Sequence, residues 1–246
     1  MNASGPASTG ATIRPAWRSP RAWAFLGALT LLGLLADLGS KSLAFRHVAD
    51  QPVRIDRADV IALTAQRHGL APLLPFHDPM VVVPHVLEFQ LVLNKGAVFG
   101  LGAGQRWVFV LFTGAAICLG LWAFGRWTDT RDRLSHASIG LVLAGGLGNV
   151  YDRLVFACVR DFIHPLPGVA LPFGWHWPND PSGEVWPWVS NVADLFLILG
   201  VAGLMLAMWR QPAPRAGGPA TGATHAPGPS ADAPARPGPD RSAGEA

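Results

Sequence analysis

Charged side chains are scarce in this sequence, making up 14% of 246 residues against 50% hydrophobic ones. A soluble domain carries about 25% charge, so an ordinary water-facing surface is disfavoured. A mean hydropathy of +0.29 points the same way. Cysteine is nearly absent. Cys118 and Cys158 are too far apart for a CxxC pair, which excludes a disulfide framework and a cysteine zinc site. No Ser/His or Cys/His arrangement suggests itself, and HExxH, P-loop and dinucleotide fingerprints are all missing. Neither a metal nor a cofactor is expected. The net charge of +3 is spread over loops and tails rather than gathered in a stripe, so no nucleic-acid partner is expected either.

What the chain has instead is long apolar runs. A helix needs about 20 mostly apolar residues to cross a bilayer. Residues 23–45, 107–124, 134–151 and 192–209 qualify, the third being weaker at its start and rich in Gly and Ala towards its end. A cleaved signal peptide is the rival for the first run. Its apolar core would be only about 7–15 residues long, whereas this run is longer and contains Asp37 and Lys41. The sequence therefore predicts an all-α membrane protein with four transmembrane helices.

Basic residues set the orientation. Arg14, Arg18 and Arg21 precede the first span, Arg126, Arg131 and Arg133 separate the second and third, and Arg210 and Arg215 follow the fourth. These segments share one side, predicted to be cytoplasmic, so loops 46–106 and 152–191 face outward. Residues 1–21 and 211–246 are rich in small residues and proline and are predicted to be disordered cytoplasmic tails around a membrane domain at 22–210. Within the outer loops, 56–70 reads as a short helix capped by Asp56. Residues 81–99 read as strand, turn, strand, with Asn94-Lys95-Gly96 as the interruption. The loop 165–187, with Trp175, Trp177 and Trp186, reads as a lip resting on the bilayer surface.

Polar groups stand out where they are expensive, at about 2.5–3.5 kcal/mol each inside a span. Asp37 and Lys41 lie at i and i+4 on one helix face. They form either a local neutralising pair, with Lys41 snorkelling to the surface, or part of a site. Gly145-Gly146-Leu147-Gly148 permits close helix packing. It leads to Asn149 and Arg153, again at i and i+4, with Arg153 an interfacial anchor or a site residue. Asp161 follows in Val159-Arg160-Asp161-Phe162-Ile163. Asn191 and Asp194 open the fourth span, where Asn191 suits an N-cap. The topology puts all of these, with Asn94, at one level near the outer boundary.

With no other nucleophile available, the chemistry left is water activated by carboxylate. Two Asp groups sharing a site cannot both ionise easily, so one holds a proton for donation while the other acts as base. Asp161 and Asp194 are the best pair, each at a span–loop boundary beside an apolar run. A proton or solute carrier would use similar carboxylates, but it would more commonly show repeats and broken helices, which this sequence lacks. An inactive scaffold and an intramembrane protease for ordinary helices are further alternatives.

At these residues the chain resembles the lipoprotein signal peptidase (signal peptidase II) family of bacteria. The likeness runs over all four spans. It rests on Asp37-Leu38-Gly39-Ser40-Lys41, Leu93-Asn94-Lys95-Gly96-Ala97-Val98-Phe99-Gly100, the stretch 145–154, the stretch 159–163, and Asn191-Val192-Ala193-Asp194. The resemblance implies a four-transmembrane-helix bundle with a small extracytoplasmic β-cradle. It implies an aspartic endopeptidase of the inner membrane that cuts prolipoproteins before a diacylglyceryl-modified cysteine. Asp161 and Asp194 match the catalytic dyad. Asn94, Gly96, Asn149, Arg153 and Asn191 match positions lining the substrate pocket, and Asp37 and Lys41 match the supporting pair. Prolipoproteins and membrane lipid are the implied partners, and the cyclic peptide globomycin the implied inhibitor. Leu38, Val98 and Ser190 depart from the common family pattern of Gln, a small residue and an aromatic, and both outer loops are longer than the compact family core.

Overall fold

A computed structural model describes residues 14–96, 105–178 and 180–210. The predicted disordered tails, apart from 14–21, and the second motif from Ala97 onward lie outside the described residues. Four long helices dominate: α1 (Pro20–His47), α3 (Arg106–Trp127), α4 (Arg133–Val155) and α5 (Val192–Arg210), with a short α2 (Arg57–Ala65) between the first two. Three of them, α1, α3 and α5, are long and apolar enough to cross a membrane. Their outward faces carry Leu32, Leu111, Phe112, Met205 and Met208, all well exposed. In water such surfaces would drive association; against lipid they cost nothing.

Pro20 opens α1 at a position where the missing N–H is not needed. Ser19 caps it by accepting from Ala22 N–H at 3.3 Å. The less apolar α4 packs against α1, α3 and α5 at once. Its polar residues Ser135, His136, Ser138, Asn149 and Asp152 are buried. A helix surrounded by other helices shows little surface to lipid, so its hydropathy is released from that constraint. Its glycines make the close approach possible. A Cβ on Gly145 would collide with the Ala193 carbonyl oxygen of α5, and one on Gly148 with the Asp37 carboxylate of α1.

Between helices lies a three-stranded antiparallel sheet in the order β1 (Met80–Val83), β2 (Leu87–Asn94), β3 (Val159–Pro165). The predicted strand–turn–strand over 81–99 needs correction. The chain reverses at Pro84-His85-Val86, with Val86 N–H bonded to the Val83 carbonyl at 3.0 Å and His85 left-handed at φ 58°. Pro84 cannot extend the ladder. Asn94-Lys95-Gly96 instead terminates β2, where the Asn94 side-chain oxygen accepts from Gly96 N–H at 2.9 Å. The third strand went unread in the sequence. Its register opposes Val92 to Asp161 and Asn94 to Val159, after a bulge between Phe89 and Val92.

Under the sheet, Phe45, Val48, Val60, Leu70, Leu91, Leu93, Cys158 and Phe162 form one apolar core. It locks the last turn of α1 and the capped helix α2 to β2 and β3. Asp56 caps α2 as predicted, accepting from Ala58 N–H at 2.7 Å, though the helix ends at Ala65. The tryptophan loop packs largely on itself. Trp177 Nε1 donates to the Glu184 and Val185 carbonyls at 3.1 and 3.2 Å, and Trp186 and Trp177 both stack edge-on to Trp188. Trp175 is the one of the three predicted lip tryptophans that is exposed, at 68%.

Candidate active site

The site forms where α1, α4 and α5 meet β2 and β3. Ser190 determines the meeting point. Its carbonyl accepts from the N–H groups of Phe162 and Ile163, and its own N–H donates to the Ile163 carbonyl, all at 2.8 Å. The start of α5 is thereby stitched to β3 beside Asp161. Asn191 then caps α5 reciprocally with Asp194: Asp194 N–H donates to Asn191 Oδ1 at 3.1 Å and Asn191 N–H to Asp194 Oδ2 at 3.2 Å.

All nine residues singled out from the sequence fall into one continuous hydrogen-bonded network. Asp161, 1% exposed, accepts from Asn191 Nδ2 at 2.6 Å and Asn94 Nδ2 at 3.1 Å. Asp194, half-buried, accepts from Asn149 Nδ2 at 2.9 Å. Asn149 Oδ1 in turn accepts from Asn191 Nδ2 at 3.3 Å and from Lys41 Nζ at 3.1 Å. An ammonium on the oxygen side of Asn149 fixes its amide, so that its NH2 must face Asp194. Arg153 donates to the carbonyls of Asn149 and Gly96 at 3.2 and 3.1 Å and lies 5.0 Å over the Phe109 ring. It is a strut between α4, α3 and the turn after β2.

Lys41 does not snorkel. It is 0% exposed and bonds Asp37 Oδ2 at 2.8 Å. The other Asp37 oxygen accepts from Ala193 N–H of α5 at 2.8 Å. Sequence reading missed the next members of this cluster. Asp152, fully buried, lies 3.6 Å from Lys41 Nζ. It also receives Arg160, through Nη2 at 2.8 Å and the backbone N–H at 3.0 Å. The Arg160 guanidinium stacks 4.3 Å over Phe156. A signal existed: Asp152 is at i+3 from Asn149, on the same helix face. Another cluster also escaped notice. His164, three residues beyond Asp161, reaches Glu88 at 2.8 Å, Glu184 at 3.4 Å and the Trp186 carbonyl at 3.2 Å, pinning the tryptophan loop to the sheet.

Electrostatically, the two dyad candidates stand apart. Neither Asp161 nor Asp194 makes an ion pair among the described residues. Burial, and next the charge of Asp194, push Asp161 up to about 7, against hydrogen bonds from Asn191 and Asn94 that favour its anion. Burial also pushes the Cys158 thiol up to about 12, leaving it unreactive. Among the described residues no three His, Cys, Asp or Glu side chains converge as metal ligands.

A helix bundle of membrane type here gathers two carboxylates among amides at one end of its helices, the groups that acid–base chemistry on a water molecule needs. Comparison with known proteins gives the family. The model described as Signal peptidase (SPase) II matches residues 29–210, and the chain belongs to this family of peptidases. It is 32% identical over 148 residues to a lipoprotein signal peptidase of Nitratidesulfovibrio vulgaris, covering 58% of this chain and 80% of that one. It is 31% identical over 155 residues to a lipoprotein signal peptidase of Syntrophotalea carbinolica, covering 61% and 86%. A solved bacterial membrane enzyme, determined by the in meso method at 2.3 Å, shares the fold with a TM-score of 0.50 at 20% identity, over 80% of this chain and 92% of that one.

Proposed function

We propose that this peptidase removes signal peptides from diacylglyceryl-modified prolipoproteins, cleaving before the lipidated cysteine with Asp161 and Asp194 as an aspartic dyad. The observation that carries the reading is the pair itself: two carboxylates from β3 and α5, both held by Asn191, with amide rather than cationic partners. A single proton between them suits an acid–base pair acting on one water. Asp161, deeply buried and raised to about 7, holds the proton. Asp194, half-open, takes a proton from water as the water attacks the scissile carbonyl. Asp161 protonates the carbonyl oxygen, and collapse of the tetrahedral intermediate returns the proton through the dyad to the leaving amine. Asn94, Gly96, Asn149, Arg153 and Asn191 hold the peptide and the polar part of the lipid, while Asp37 and Lys41 fix Asn149.

In this reading α4 is the fourth transmembrane span, its polarity explained by its central position, and the sheet is an extracytoplasmic cradle. The enzyme sits in the inner membrane with both termini cytoplasmic and the dyad at the periplasmic boundary. A lipidated cysteine already resides at that depth, so substrate and site meet without either leaving the bilayer. The test is cleavage of a lipidated and an unlipidated preprotein, each with and without globomycin. Cleavage of the lipidated form alone, blocked by globomycin, is expected. Equal cleavage of both overturns the lipid requirement, and no cleavage of either overturns the function.

A further inference from the structure

The opposite end of the bundle carries a second polar concavity that the peptidase site does not use. Residues 14–19 form a strap across the turn between α3 and α4. Ala16 N–H donates to the Thr128 carbonyl at 3.0 Å, Thr130 N–H to the Arg14 carbonyl at 2.9 Å, and Arg14 N–H to the Asp129 carboxylate at 2.9 Å. Ala16 itself is wholly buried in the apolar cluster around Phe124. The strap is therefore a fixed part of the fold. It brings Arg14, Arg18 and Arg21 around one cavity of about 730 Å³, with Ser19 and Thr130 as further walls.

Among the described residues, no acid lines this cavity. Asp129, in the adjoining turn, is occupied by the N–H groups of Arg131 and Arg14, which hold it below the usual carboxylate range. Among the described residues, none of the three guanidiniums has an ion-pair partner. The three arginines line one hollow as exposed side chains, so an anion entering it meets three cations at once. Guanidinium groups match the paired oxygens of a phosphate. The surroundings select its source. Trp17 is 48% and Trp127 68% exposed at this end of the bundle, and Arg18 stacks 4.8 Å over Trp17. Exposed tryptophans at helix ends mark the depth of lipid headgroups.

We propose that this cavity binds the phosphate of an anionic phospholipid in the leaflet at the N-terminal end of α1, tying the strap and the α3–α4 turn to the membrane surface. The inference needs no assumption about the dyad, because its readout is lipid retention and not turnover. The full chain, purified in detergent and delipidated, is offered phosphatidylglycerol and phosphatidylcholine in equal amounts, and bound lipid is counted by native mass spectrometry. Preferential retention of phosphatidylglycerol is expected. Arg14→Gln/Arg18→Gln/Arg21→Gln should lower that preference about tenfold or more, while Arg126→Gln, on the same side but outside the cavity, leaves it intact. Should the triple variant fail to insert, Arg18→Gln alone should still lower it several-fold. Equal retention of the two lipids, or an unchanged preference in the arginine variants, overturns the proposal. Displacement of the lipid by modest inorganic phosphate would show a site for a free anion and overturn the lipid assignment.

Discussion

Two clusters of buried charge lie side by side at one end of this bundle, and they differ in how their acids are answered. In the first, Asp37 and Asp152 face Lys41 and Arg160. Two negative groups meet two positive ones, and the set is neutral as it stands. In the second, Asp161 and Asp194 face the amides of Asn94, Asn149 and Asn191. Amides donate hydrogen bonds but carry no cancelling charge, and neither acid has an ion-pair partner among the described residues. Asn149 touches both clusters, taking Lys41 on its oxygen and giving its NH2 to Asp194. The lesson is that buried acids of one type serve two ends. Matched with cations they hold helices together; the other two are met by neutral hydrogen-bond donors.

The comparison breaks most visibly at the titratable pair. Asp161→Asn and Asp194→Asn should each cut cleavage of a lipidated preprotein by about 100–10,000-fold, the range for loss of an acid–base group, with insertion and melting little changed. Near-normal turnover in either purified variant would remove the dyad. The neutral cluster should behave in the opposite way. Lys41→Met leaves Asp37 and Asp152 short of a cation in the interior and should cost about 3–5 kcal/mol, seen as a lower melting temperature. Adding Asp37→Leu to it should recover much of that stability but not the activity, since Asn149 loses its anchor.

A subtler probe is the space between the clusters. Gly148→Ala pushes a methyl into the Asp37 carboxylate and should cost about 1–3 kcal/mol, with Gly39→Ala, where the space is open, as the neutral control. pH separates the clusters further. The folded-state pKa of Asp161 is raised from 3.8 to about 7. Its contribution therefore favours the fold most at low pH and is lost as pH climbs through about 7. Above that point turnover should fall about tenfold per pH unit as the Asp161 proton leaves, whereas the melting temperature should drift down between about pH 4 and pH 7 and level off above it, and Asp161→Asn should flatten that drift. The smallest effect belongs to the third polar group. His164→Asn frees Glu88 and Glu184 and should loosen the tryptophan loop, changing turnover by only about twofold to threefold. Hydrogen exchange over residues 165–190 is the readout.

Much of this was legible from spacing. Asp37 with Lys41 and Asn149 with Arg153 share helix faces by periodicity alone, and Asn191 announces the start of α5 by its capping chemistry. The helix α2 followed from Asp56 in the same way. What could not be read were the pairings. The strand at Val159–Pro165 carries Asp161, but its hydrogen bonds go to β2, some 67 residues away in the case of Asn94. The hairpin reversal at Pro84-His85-Val86 was hidden by the stronger turn signature of Asn94-Lys95-Gly96. Asp152 and Arg160 are unremarkable charges at a helix–loop boundary until the fold buries them together.

Local composition and period determined the long helices, their caps and the residue types available for chemistry, because those depend on neighbours within a turn or two. The tertiary structure alone decided which acids became neutral pairs and which stayed uncompensated, and it did so through contacts spanning most of the chain. Charge compensation is a property of distance in space. Gly145 and Gly148 let α1, α4 and α5 close to that distance, and Ser190 stitches the start of α5 to the sheet.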